Sequence, residues 1–91
     1  MSKSINTTFK TTQATISTTP TLIFAARAGR DSVVVEQTGT TKVYVGDLNV
    51  TTSTGLLLPG VEGASISLET TDAVYGIVAS GSQVVCALEN F

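Results

Sequence analysis

Residues 64–79 read Ala64-Ser65-Ile66-Ser67-Leu68-Glu69-Thr70-Thr71-Asp72-Ala73-Val74-Tyr75-Gly76-Ile77-Val78-Ala79. Up to Glu69 apolar and polar side chains alternate. Ala64, Ile66 and Leu68 share one face of an extended chain; Ser65, Ser67 and Glu69 share the other. Thr70-Thr71-Asp72 makes a turn. The chain then resumes with Tyr75 and Ile77 on one face and Val74 and Val78 on the opposite one. A helix would repeat at 3.6 residues, and no such stripe can be placed here or elsewhere in the chain. The class expected is all-β.

The same grammar extends in both directions. Toward the C-terminus, Ser80-Gly81-Ser82 is a tight turn, and residues 83–89 form a last strand that groups Val84, Cys86 and Leu88. Toward the N-terminus, Leu56-Leu57-Leu58 is a short apolar strand closed by Pro59-Gly60. Residues 46–55 are the longest polar loop. Val43 and Val45 point inward on one strand, and Val33 and Val35 on the strand before it. Thr38-Gly39-Thr40-Thr41 between them reads as the turn of a hairpin. Residues 21–26, Thr-Leu-Ile-Phe-Ala-Ala, are apolar on both faces and read as a buried strand, with Pro20 and Arg27 as flanking gatekeepers. Thr12, Ala14 and Ile16 alternate with Thr11, Gln13 and Thr15 in the first strand. This makes about eight short strands at near-regular spacing, the rhythm of a β-sandwich with jelly-roll-like organisation. Residues 9–91 form that sandwich. Residues 1–8, polar apart from Ile5, read as a flexible N-terminal arm.

Composition bounds the function. At 91 residues the chain is one domain with one modest core. It is 42% hydrophobic but 13% charged, so its polar surface is built from Thr and Ser hydroxyls. Net charge is −2, and the five cations (Lys3, Lys10, Arg27, Arg30, Lys42) are scattered. Binding nucleic acid by counterion release needs them clustered, so nucleic acid is not the expected ligand. One cysteine excludes an intrachain disulfide framework. The longest apolar run, residues 22–26, is too short to cross a membrane, and no signal-peptide pattern opens the sequence. The expectation is synthesis in the cytoplasm without export by that route.

Chemistry-bearing constellations are missing. There is no histidine, which removes the commonest general base, zinc ligand and nucleophile partner. Cys86 sits mid-strand and reads as a buried small hydrophobe. The seven carboxylates fall mostly in turns and at strand ends, where solvation explains them. Asp47-x-Asn49-x-Thr51 opens like a calcium loop, but Thr52 and Leu58 stand where the sharp-turn Gly and closing Glu belong. It reads as an Asx-rich turn. No catalytic residue, metal ligand or cofactor site is expected, and the protein reads as one that binds or builds.

From Arg30 onward the motifs run Val33-Val34-Val35, Thr38-Gly39, Val43-Tyr44-Val45-Gly46, Val50-Thr51, Gly55, Leu58-Pro59-Gly60, Ala73-Val74-Tyr75-Gly76-Ile77 and Ala79-Ser80-Gly81. In this order and spacing the stretch resembles small bacteriophage virion proteins. It departs from them at Gln37-Thr38-Gly39, where that family often has Asn before Gly. The resemblance implies a structural component of the particle: a capsid decoration (cement) protein that binds the major capsid protein and stabilises the assembled head. The alternative is a tail or fibre module that contacts the host surface. It also implies a homo-oligomer, with a trimer favoured, residing in the virion. Candidate interface residues are Ser2, Lys3 and Ile5 in the arm, Arg27 and Arg30 as anchors to acidic groups on a capsid protein, Asp47 and Asn49 in the long loop, and the terminal Phe91.

Overall fold

The alternating segments become strands. The computed structural model describes residues 8–91 and contains β1 (Phe9–Ile16), β2 (Thr21–Phe24), β3 (Ser32–Gln37), β4 (Val43–Gly46), β5 (Leu56–Leu58), β6 (Ser65–Leu68), β7 (Val74–Ile77) and β8 (Gln83–Asn90). Among the described residues there is no helix, so none that could cross a membrane. Ser2, Lys3 and Ile5 of the expected arm lie outside the described residues. Thr8, its last residue, accepts a backbone hydrogen bond from Phe91 at 3.0 Å.

Two four-stranded antiparallel sheets result: sheet A in the order β1-β8-β3-β6, and sheet B in the order β2-β7-β4-β5. Their connectivity has a simple logic. The chain is one long hairpin whose arms, β1–β4 and β5–β8, pair 1 with 8, 2 with 7, 3 with 6 and 4 with 5. Rolling it up sends alternate pairs to opposite sheets, and the pairings β3·β8 and β4·β7 stitch each sheet together. This is the eight-stranded jelly roll.

That order corrects one expectation. β3 and β4 do not form a hairpin: β3 pairs with β6 and β8, whereas β4 pairs with β5 and β7. Residues 38–42 carry the chain across from one sheet to the other. Two buried or half-buried amides hold the crossing. Gln37 Nε2 donates to the carbonyls of Thr41 (2.8 Å) and Pro59 (3.1 Å), and its Oε1 accepts from Gly39 N–H at 3.1 Å. Gln83 Oε1 accepts from Thr41 N–H at 3.0 Å. Gly60 passes so close to Thr40 that a Cβ there would stand 2.1 Å from the Thr40 carbonyl oxygen. Among the described residues, β4 and β5 are the only consecutive strands that pair.

The core lies between the sheets. Ile16, Val33, Val35, Val43, Val45, Leu58 and Val85 are fully buried, joined by Ile23, Phe24, Val74, Val78 and Ala87. Thr12, Ala14 and Ile16 face it from β1, as their alternation predicts. Two further readings change. The buried strand expected over residues 21–26 ends at Phe24, and Leu22 points out at 48% exposure. Just past its end the Ala25 carbonyl accepts from the Arg30 guanidinium at 2.9 Å. In β8 the inward residues are Val85, Ala87 and Glu89; Val84, Cys86 and Leu88 lie half-buried on the outer face. Cys86 is therefore not a core residue.

Candidate interaction surfaces

Antiparallel alternation gathers the connections at two ends of the sandwich. One end holds the start of β1, the β2–β3, β4–β5 and β6–β7 connections and the C-terminus. This end contains every described candidate residue.

Its centre is Arg30. The side chain is fully buried, and each of its three nitrogens donates a hydrogen bond. Nε donates to the Thr70 carbonyl at 2.9 Å, Nη1 to the Ala25 carbonyl at 2.9 Å and to Glu89 Oε1 at 3.3 Å, and Nη2 to the Asp72 carbonyl. One guanidinium thus ties the end of β2, the β6–β7 connection and β8 together, across both sheets. Gly29, at φ 81°, makes the left-handed turn that brings Arg30 back under its own loop. The Arg30 guanidinium also lies 5.7 Å from the Phe24 ring centre. Burying a charge this deeply is tolerable only when it is paired and hydrogen-bonded, as here.

Arg27 and Phe91 complete the cluster. Arg27 Nε stands 3.4 Å from the same Glu89 oxygen, and its guanidinium lies over the Phe91 ring at 3.7 Å. The Arg27 N–H donates to the Thr71 carbonyl at 2.9 Å. The terminal aromatic therefore packs against its own domain. The expectation that the Arg30 guanidinium reaches a partner is corrected: it has no exposed side-chain atom to offer. Arg27 remains partly accessible, at 38% side-chain exposure, although already engaged. Glu89, expected among the solvated carboxylates, is 5% exposed because two guanidiniums converge on it.

Asp47 and Asn49 sit in the β4–β5 hairpin loop. Asp47 Oδ1 accepts from Asn49 N–H at 3.0 Å, the Asx turn expected from the sequence. Val50 is 3% exposed and folds back under Gly46 and Gly55, at either of which a Cβ would collide with its side chain. Thr51 and Thr54 close the loop through a hydroxyl contact of 3.1 Å. Asp47, Glu69 and Asp72 are exposed, so the accessible charge at this end is predominantly negative. Asp47 shares a shallow depression with Thr70 and Asp72, which links the hairpin loop to the Arg30 cluster.

Sequence reasoning missed Glu89 and Gln37 as organising residues. Their partners lie 59 residues away and in a crossing loop respectively, and no local pattern signals either. Among the described residues, no group of acidic, Cys or His side chains is placed to hold a metal ion, and no buried side-chain polar atom lacks a partner. Compared with family models, with curated proteins and with solved structures, the chain matches none.

Proposed function

We propose that this protein is a non-enzymatic structural subunit of a bacteriophage particle, a decoration protein that binds the major capsid protein on the assembled head. It is made in the host cytoplasm, works in the virion as a homo-oligomer with a trimer favoured, and needs neither cofactor, nucleic acid nor membrane. The motif order from Arg30 to Glu89 introduced this reading. The jelly-roll strand order is in keeping with it, because virus capsid domains use that architecture, although lectin domains and cupins do so too.

The observation that carries the reading is the end organised by Arg30. Two connections and the C-terminal strand are fastened to one buried guanidinium. A surface locked in this way docks without a large ordering cost. It offers exposed carboxylates at Asp47, Glu69 and Asp72, so the matching capsid surface is basic, the reverse of what Arg27 and Arg30 suggest in sequence. The tail or fibre alternative expects aromatic side chains at loop tips for glycan stacking. None of the connections between β1 and β8 contains one.

The test is protein quantification of purified phage particles. The proposal expects the chain in many copies, in fixed ratio to the major capsid protein and lost with heads rather than tails. Absence from mature particles, or copies confined to the tail fraction, contradicts it.

A further inference from the structure

Four strands lie at sheet edges: β1 and β6 in sheet A, β2 and β5 in sheet B. An edge strand presents a row of unpaired N–H and C=O groups. Folded chains blunt it by keeping it short, or by Pro, a bulge or charge. Three of the four edges carry such devices. β2 has four residues, follows Pro20 and breaks register between Leu22 and Phe24. β5 has three residues and stops at Pro59. β6 has four and stops at Glu69. β1 has eight residues in unbroken register with β8, no Pro, and a single charge, Lys10, near one end.

The backbone groups left open on β1 follow from its ladder. Phe91 N–H donates to the Thr8 carbonyl at 3.0 Å. The register sets Thr8 opposite Phe91, one step beyond Phe9 opposite Asn90. In an antiparallel ladder, pairs that exchange hydrogen bonds alternate with pairs that do not. Lys10, Thr12, Ala14 and Ile16 therefore bond β8, and Phe9, Thr11, Gln13 and Thr15 turn their N–H and C=O groups to the edge. Among the described residues no strand meets them there. The side chains of the same four residues are exposed on the outer face of sheet A, Phe9 at 62% although it is aromatic.

We infer that β1 of one chain pairs antiparallel with β1 of a second copy, about a two-fold axis at Thr12, and joins two sheets A into one. Register selects a second copy. With Thr12 opposite Thr12, Thr11 meets Gln13 of the second copy and Phe9 meets its Thr15, so all four open residues of each chain are paired. Moving the axis to Thr11 or Gln13 leaves Thr15 or Phe9 unpaired. In the same register Lys10 faces Ala14 and not another Lys10. Phe9 gains a β-branched neighbour, a favourable cross-strand pair. Entropy points the same way. A second copy brings its strand already extended and held by β8, whereas a disordered segment of another protein loses about 1–2 kcal/mol of backbone freedom per residue on ordering. An isologous contact closes on itself, and the edges left over are the blunted ones. A trimer needs a different, heterologous contact, so this inference stands apart from the oligomer proposed above and either can fail alone.

The test follows mass by sedimentation velocity, and amide hydrogen exchange by NMR, at rising concentration. The wild type is expected to go from 9.4 kDa to twice that mass. In step with it, the amides of Phe9, Thr11, Gln13 and Thr15 are expected to gain protection, while those of Lys10, Thr12, Ala14 and Ile16 are protected throughout. Thr11→Lys with Gln13→Lys sets like charges opposite each other across the axis. It is expected to keep the wild-type circular dichroism and to weaken dimerisation by about tenfold or more. A charge-matched control at exposed positions on the β6 edge, Ser65→Lys with Ser67→Lys, is expected to dimerise like the wild type. A wild type that stays monomeric at every concentration, a mass that grows while the Thr11 and Gln13 amides stay unprotected, or a β1 variant that dimerises as tightly as the control each overturns the inference.

Discussion

Arg30 Nη1 lies 3.3 Å from Glu89 Oε1, and 59 residues of chain separate the two. The first sits in a connection and the second on the last strand, so this contact forms only once β8 has entered sheet A between β1 and β3. Around it are the carbonyls of Ala25, Thr70 and Asp72, all answered by the same guanidinium. This end of the sandwich is organised by a single side chain.

Replacing Arg30 by Met removes that centre. It leaves the Glu89 carboxylate without its buried partner and frees three carbonyls from their hydrogen bonds. Breaking a buried pair in this way costs about 3–5 kcal/mol. Urea denaturation of Arg30→Met is expected to show a loss of that size. The double variant Arg30→Met, Glu89→Met is expected to recover part of it, because no charge is then stranded.

Arg27 makes a contrasting case. It shares the Glu89 oxygen and covers Phe91, but it is 38% exposed. Solvent screens its ion pair, and an exposed cation–π contact is worth about 0.5–1 kcal/mol. Arg27→Ala is expected to cost about 1 kcal/mol or less in the same denaturation assay, well below Arg30→Met.

At the opposite end, Gln37 is 1% exposed and bonds Thr41, Pro59 and Gly39 across the loop that passes between the sheets. Removing the amide strands those backbone groups, each costing about 1–3 kcal/mol when left unsatisfied. Gln37→Ala is expected to lower stability by at least about 2 kcal/mol, read from the denaturation midpoint at unchanged slope.

Gly60 tests the same crossing through sterics. Its absent Cβ would meet the Thr40 backbone at 2.1 Å, and backbone cannot swing aside as a side chain can. Gly60→Ala is expected to destabilise by about 1–3 kcal/mol through local overpacking. Gly63→Ala is not a neutral comparison, since Gly63 has φ 89°.

The proposed capsid binding carries its own electrostatic expectation. Asp47→Asn with Glu69→Gln preserves shape and removes two exposed carboxylates from the Arg30 end. Exposed pairs are worth about 0.2–1 kcal/mol each, so binding to heads is expected to weaken by roughly fivefold, and its salt dependence to flatten.

Strand positions were legible because period two is a local signal. Thr12, Ala14 and Ile16 in β1, and Ile66 and Leu68 in β6, face the core as alternation predicts. Partner choice was not legible. The segment Thr38-Gly39-Thr40-Thr41 has the composition of a hairpin turn, yet β3 and β4 enter different sheets. What decides this is Gln37, Gly60 and Gln83, brought together from three parts of the chain. The inner face of β8 misleads for a related reason. Val84, Cys86 and Leu88 are the more apolar set, but Val85 and Ala87 turn inward to the core and Glu89 with them to Arg30. The role of Arg30 itself depends on carbonyls about forty residues away, at Thr70 and Asp72, and such a site exists only in the folded chain.

The most direct test of the proposed virion role is co-sedimentation of the purified protein with assembled, undecorated phage heads. The account predicts saturable pelleting at a fixed ratio to the major capsid protein. Protein that remains in the supernatant at every concentration contradicts it.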